Sequence, residues 1–353
     1  MAKRVDRNSH RGSLVTIIKP NKHKISDWKI MLVLGLQGSP RKKGNTAFLL
    51  STFLKEAENL GAVTHTIDVC SRNIKPCMEY TTCEKTGFCP IKDDMDPEIY
   101  SMLRQAEIIV TATPIFFYST PAQLKALIDR SQTLWARKYR LKLTDPGRKW
   151  RQGFLLSLGA TRGKNLFEGL HLTMKYFYDA VGASYVGSLT YRHIENQGDM
   201  EKHPTVLDDI KAEAEKLIGP LMSRKKVLFA CRENACRSQM ASAFAQYQAG
   251  NRMDVLSAGS SPAEQINPTM VETMQEKGID MAFRKTKHLD DLLNTVTPDI
   301  IITMGCGEAC PFIPGVKRQD WDLPDPAGQS IEMMRKVRDE IEKRVIKLID
   351  ELS

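Results

Sequence analysis

The chain has 353 residues, 42% of them hydrophobic and 26% charged, a globular composition too long for one ordinary core, so two domains are expected. No apolar stretch approaches the roughly 20 residues that cross a bilayer, which excludes a membrane-spanning role on hydropathy. The net charge of +9 is spread and accompanied by no nucleic-acid motif, and eight cysteines without a secretory leader point to working thiols in the cytoplasm rather than a disulfide scaffold.

Residues 1–28 open the chain as a basic arm. Over residues 1–25, Lys3, Arg4, Arg7, Arg11, Lys19, Lys22 and Lys24 stand against Asp6 alone, the pattern of a solvated tail or an interaction arm. A first domain is expected over 29–221. The apolar run at 30–36 reads as a buried strand, and it enters a polar glycine loop, 37–46, before a helix over 47–60. That loop has neither the Lys-Ser/Thr ending of the nucleoside triphosphate loop nor the Gly-x-Gly-x-x-Gly pattern. Ser39, Arg41, Asn45 and Thr46 are instead donors suited to a terminal phosphomonoester at a helix N-terminus. A plain solvated turn would use similar residues.

Strands are predicted at 63–69 and 106–113, buried by their β-branched content. The second runs into Pro114, Ile115, Phe116, Phe117 and Tyr118, then a helix over 122–131. An aromatic loop at the carboxyl end of a parallel strand is where an open α/β sheet binds a planar ligand. Further strands are predicted at 153–159, ending in a loop with Thr161, and at 183–189. A helix over 208–217 is expected to stop at Gly219-Pro220. The alternation predicts a flavodoxin-like doubly wound sheet.

Gly-Ser-Pro-Arg-x-x-Gly-Asn-Thr at 38–46 and Thr-Pro-Ile-Phe-Phe-Tyr-x-x-Pro-Ala-x-Leu-Lys at 113–125 resemble the flavin-binding loops of the NAD(P)H-dependent FMN reductase family, in its branch with the iron-sulfur flavoproteins. The resemblance implies an FMN phosphate in the first loop, the isoalloxazine against 114–118, the 159–164 loop on its other side, NADPH or NADH as donor, and a homo-oligomer formed through the flavin domain. Cys77, Cys83 and Cys89 sit where that branch carries its cysteine cluster. Three thiols at x5 spacing, with Tyr80 between, fall short of the four a cubane cluster takes, and no histidine completes a zinc site. No metal is expected, and these thiols read as leftover or redox-reactive groups near the flavin edge.

The second domain, expected over 224–353, opens with a strand at 226–230 that delivers Cys231 into a short loop. Arg237 follows at the start of a helix over 239–248. Loop amides and the helix N-terminus would face a bound oxyanion, Arg237 would grip it, and the same field would hold the cysteine as a thiolate. Ser238 is placed to hydrogen-bond that sulfur, and Asn234 to pin the loop. Strands at 253–258 and 298–304 and helices at 268–277 and 330–352 complete a second parallel three-layer α/β domain, the last helix burying one face.

The Cys231 loop, the stretch from Thr303 to Pro311 and the stretch from Trp321 to Gly328 together resemble the thiol-dependent arsenate reductases built on the low-molecular-weight tyrosine phosphatase fold, over about 225–353. The resemblance implies arsenate as substrate, Cys231 as nucleophile, Asp325 as general acid, and Cys306 and Cys310 as the thiols that release arsenite and end as a disulfide. Cys236 reads as a spectator and Trp321 as a packed lid residue. A phosphatase would need only Cys231, Arg237 and Asp325, and an oxyanion-sensing module would need no turnover; the extra thiols favour the reductase. Two routes for the electrons stand open. The flavin returns them to the second domain's disulfide, or a thioredoxin or small thiol does so while the flavin domain works separately on quinones or organoarsenicals.

Overall fold

A computed structural model describes residues 31–305 and 313–352. The tail expected over 1–28, Cys306 and Cys310 lie outside the described residues. The first sheet is built from β1 (Leu32–Gln37), β2 (Val63–Asp68), β3 (Ile108–Pro114), β4 (Gln152–Leu158) and β5 (Ser184–Tyr191), all parallel in the order β2-β1-β3-β4-β5. Its helices are α1 (Asn45–Asn59), α2 (Thr82–Thr86), α3 (Tyr100–Gln105), α4 (Ala122–Arg130), α5 (Gln132–Tyr139), α6 (Glu168–Val181) and α7 (Val206–Met222). Two buried clusters, one around Phe53 and Phe154 and one around Tyr100 and Tyr178, cover the two faces of the sheet. Buried apolar strands with helices on both sides are what a doubly wound sheet requires.

The second sheet holds β6 (Lys225–Cys231), β7 (Met253–Gly259), β8 (Ile300–Met304) and β9 (Lys317–Asp320), again parallel, in the order β7-β6-β8-β9. Around it lie α8 (Arg237–Ala249), α9 (Pro268–Glu276), α10 (Leu289–Leu293) and α11 (Ile331–Glu351). The expected three-layer architecture is present in both units. In each sheet the order reverses beside the first strand, so the crevice at its carboxyl end is where a ligand belongs. One expectation fails: α7 does not stop at Gly219-Pro220 but carries Pro220 inside its last turn. A proline there loses one backbone bond near the fraying end, which is tolerated, whereas in mid-helix it would break the ladder.

The two units meet at the amino ends of their sheets. Thr144, ahead of β4, donates its N–H to Gly278 O at 2.7 Å and accepts one from Asp280 N at 2.9 Å. Arg224 clamps both oxygens of Glu107 at 2.8 and 2.6 Å, and Trp150 Nε1 donates to Gln246 O at 2.9 Å. Buried at the centre, Asp280 is held by Arg104 at 2.7 Å and Arg137 at 2.8 Å, while Asp145 is held by Arg104 at 2.5 Å and Arg151 at 2.6 Å. Burial alone would raise the pKa of Asp280, but Arg104 and Arg137 outweigh it and hold the carboxyl below its usual range; Arg151 and Arg104 do the same for Asp145.

Removing one partner of such a network leaves buried cations short of charge, so Asp280→Ala should lose about 3–5 kcal/mol of stability at neutral pH. Because both carboxyl pKa values are lowered on folding, their contribution is complete above the unfolded value, about 3.9, and fades as the pH falls below it. Urea unfolding across that range should therefore show a steeper acid loss for the parent than for the variant. An unchanged midpoint at neutral pH would refute the assignment.

Candidate active sites

Cys231 ends β6, and its loop is shaped by what its carbonyls do. The carbonyls of Cys231, Arg232, Glu233 and Ala235 accept N–H bonds from Ser260, Ser261, Ala263 and Asn267 at 3.2, 2.8, 3.0 and 3.1 Å. With its carbonyls turned out, the loop directs its own amides inward, the arrangement of an anion nest. Gly259 makes this approach possible, since a Cβ there would stand 2.6 Å from Arg232 O and 2.7 Å from Asn234 N. Asn234 sits at φ 50° and is fully buried. Its Oδ1 accepts from Lys287 N at 2.9 Å and Gln239 Nε2 at 3.1 Å, and its Nδ2 donates to Ser238 Oγ at 2.7 Å. The sulfur of Cys231 lies 3.0 Å from Ser238 Oγ and 3.3 Å from Asn234 N.

Arg237, at the start of α8, is buried and reaches across the nest. Its Nη2 pairs with Asp325 Oδ2 at 2.7 Å and its Nη1 donates to Leu323 O at 3.3 Å. Asp325 itself is half exposed, so the pair closes the mouth of the nest toward solvent. Gly305, at φ 68°, passes so near that a Cβ would meet Arg237 Nη1 at 2.6 Å. Trp321 is buried against Phe229, a packed residue as expected. Cys236 is buried beside the loop, and its thiol is pushed up to about 12 by burial first and by the charge of Cys231 second. It stays protonated at neutral pH. Met304 pairs in register with Cys231, so the loop that holds Cys306 and Cys310 leaves β8 next to the nest.

At the carboxyl end of the first sheet, Gly38 N donates to Ala112 O at 2.8 Å, drawing the 38–46 loop against β3. Ser39 and Thr46 are buried at the head of α1 and Arg41 is exposed. Asn45 departs from its expected place. Its Nδ2 donates to Asn196 O at 2.7 Å, and its Oδ1 accepts from Gly198 N at 3.0 Å and Met200 N at 3.3 Å. The side chain fastens the 196–200 loop, leaving its second Nδ2 hydrogen and its backbone amide for a ligand.

The aromatic loop forms a two-residue turn closed by Phe116 and Ser119, with Phe117 at φ 48° and Tyr118 at φ 62°. Bulky residues in the left-handed region cost about 1–3 kcal/mol each. Phe117 is fully exposed and Phe116 and Tyr118 about half so, with Pro114 and Ile115 partly buried beneath them and Thr161 exposed across the crevice. Sequence reading passed over Gln37, whose Nε2 and Oε1 are buried without a partner, and Thr120, whose hydroxyl is likewise unpartnered. Orphaned polar atoms at the head of the crevice fit a polar ligand seated there.

Cys77, Cys83 and Cys89 are not among these cradle residues. They stand on a segment whose base is clamped by buried Arg130, which pairs with Asp93 and donates to Lys75 O at 3.0 Å and Ile91 O at 3.3 Å. All three line a cavity of about 1220 Å³ bounded by α4, α5 and α6. The thiol of Cys83 is raised by burial and then by Cys89 and Cys77, so the three lie within electrostatic reach of one another.

Residues 31–191 match the family described as NADPH-dependent FMN reductase, and residues 226–353 that described as low molecular weight phosphotyrosine protein phosphatase. A glutaredoxin arsenate reductase of Synechocystis sp. is 36% identical over 132 residues, 36% of this chain and 99% of that protein. An iron-sulfur flavoprotein of Methanosarcina thermophila is 37% identical over 132 residues, 37% of this chain and 65% of that protein. Among solved structures, a thioredoxin-dependent arsenate reductase of Corynebacterium glutamicum is 33% identical, with 42% of this chain and 76% of that one covered at a TM-score of 0.33. The chain thus belongs, over its second unit, to the low molecular weight phosphotyrosine protein phosphatase family on the side of its arsenate reductases, and carries before it a domain of the FMN reductase family.

Proposed function

We propose that the second domain reduces arsenate to arsenite at Cys231 and that the first oxidises NADPH or NADH with bound FMN. The observation that carries the reading is the Cys231 sulfur at the floor of an amide nest, with Arg237 and Asp325 across its mouth. An arsenate oxyanion entering the nest takes the guanidinium of Arg237 from Asp325, which frees the acid to protonate a departing oxygen. Cys231 attacks arsenic and one water leaves. A thiol of the 306–310 loop then attacks the Cys231 sulfur, the S–As electron pair stays on arsenic, and arsenite departs with a disulfide left behind. A phosphatase would need none of that second thiol chemistry, and the loop carrying Cys306 and Cys310 starts beside Cys231 and Arg237.

The cradle residues fit FMN. Ser39, Arg41, Thr46 and the first amides of α1 would hold its phosphate, with Asn45 fastening the neighbouring loop, and residues 114–118 with Thr161 would flank its ring. FMN held by these residues would supply hydride acceptance from a nicotinamide and onward electron transfer. Each cradle stands a full strand, about 20 Å, from the amino end of its sheet where the domains meet. This supports recycling by an external thiol, of the thioredoxin or glutaredoxin type named for the relatives, over hand-over within one chain.

The test is anaerobic. Full-length protein is loaded with FMN, given NADPH or NADH and arsenate, and assayed for arsenite with and without reduced thioredoxin, glutaredoxin or glutathione. Flavin uptake, at most about one arsenite per chain without a thiol, and sustained arsenite only with one are expected. No flavin uptake overturns the first-domain reading, no arsenite with any thiol overturns the second, and many turnovers of arsenite from the nicotinamide alone overturn external recycling.

A further inference from the structure

The segment 76–90 has a function to account for that neither active site uses. Its base is fixed by the Arg130–Asp93 pair, and Lys75 N donates to Asp93 Oδ2 at 2.9 Å, so the two ends of the segment are held side by side. Its tip is exposed, and Glu79 and Thr81 stand at φ 52° and 56°. Thr81 is β-branched, for which that region is an outlier, and such strain marks segments that change shape at functional sites. Arg137 ties the far end to the domain junction by donating to Gly87 O at 3.1 Å while it grips Asp280, and Phe88 packs on Phe283 at 5.5 Å between ring centres. The only cysteines on this segment are the three that line the cavity.

We infer that Cys77, Cys83 and Cys89 form a capture site for trivalent arsenic, closing on it as a tris-thiolate at the wall of this cavity. Three soft sulfur donors suit a thiophilic centre with three bonding valences. They suit zinc and cubane clusters poorly, because both take four ligands and no fourth thiol or histidine stands in the segment. Among the described residues no such group is already spaced to hold a metal ion. Binding therefore draws the strained, exposed tip inward over the fixed base. In the reaction each As–O bond of arsenous acid is replaced by an As–S bond, and each thiol proton leaves with a hydroxyl as water. Three waters form and no electron changes hands. The assignment of arsenic rests on the proposed reduction, whose product this site would retain on the same chain.

The experiment uses reduced full-length protein in which Cys231, Cys306 and Cys310 are serine, titrated anaerobically with sodium arsenite. Free thiols are counted, and the arsenic neighbours are read by X-ray absorption. One arsenic per chain, three thiols consumed and three sulfur neighbours are expected. Cys77→Ser, Cys83→Ser and Cys89→Ser should each weaken binding by on the order of 10²-fold or more, through loss of one linked attachment, while Cys70→Ser leaves it unchanged. Should a variant at the half-buried Cys83 or Cys89 fail to fold, Cys77, which is exposed, decides the matter. Equal binding in the Cys77→Ser protein, or two or fewer sulfur neighbours in the parent, overturns the site. Arsenite binding without any arsenate reduction in the unsubstituted protein would sink the proposed function and leave this chemistry standing; reduction without binding would do the reverse.

Discussion

Cys231→Ser is expected to lower arsenate reduction by at least on the order of 10⁴-fold while NAD(P)H-driven flavin reduction proceeds unchanged. Removing a covalent nucleophile deletes the step on which the later ones depend, and no neighbouring thiol can replace it. Cys236, the nearest in sequence, is buried and its thiol is pushed up to about 12, so it stays protonated at neutral pH. A serine oxygen keeps the hydrogen bonds from Ser238 and Asn234 within the same loop geometry, so the fold and the nest should survive. The flavin reaction should not sense the change, because the contacts between the domains lie at the far ends of both sheets. Arsenite and flavin absorbance measured in one sample decide it. Loss of both activities with the fold retained would show that the two sites are not separate.

What sequence could supply here was local. Strands β1 through β8 were readable to within a residue or two; most are buried apolar runs bounded by turn residues, while β2, not buried as expected, and β5 are largely uncovered and were marked by their β-branched and aromatic content. β9 was not, since Lys317–Asp320 is exposed throughout and shows no alternation. Helices α3, α5 and α6 have no side-chain cap at their N-termini, so no start signal marks them. In the second domain the nest was legible because nucleophile, loop and Arg237 are contiguous. Gly259 and Lys287, which shape it, come from elsewhere in the chain and carry no motif of their own. Asn45 shows the limit most plainly. Its type and place at a helix start suit a phosphate, but its side chain is committed to residues 196–200, a contact between distant segments that no local pattern announces. The Arg104–Asp280–Arg137 junction was invisible for the same reason.

The thiols consumed in turnover provide the second large effect. Cys306→Ser and Cys310→Ser should each still let Cys231 attack arsenate but stall after at most about one turnover, since an arsenic thiolate or a half-made disulfide then has no internal partner. Against a parent that cycles with an external thiol, that is a loss of all sustained activity. Replacing Cys236, or Cys77, Cys83 and Cys89 together, should leave the first turnover intact, because none of them is needed to expel arsenite in this scheme. Geometry supports a resolving thiol from the residues after β8: Met304 lies in register with Cys231, and Gly305 passes close to Arg237. After one equivalent of arsenate, thiol mapping by mass spectrometry should find Cys306 and Cys310 oxidised together in the parent. A Cys231–Cys236 pair in its place, or cycling by both loop variants at the parent's rate under the parent's own conditions, would move the resolving role to Cys236. That outcome would demand a thiol now buried and protonated to be exposed during the reaction.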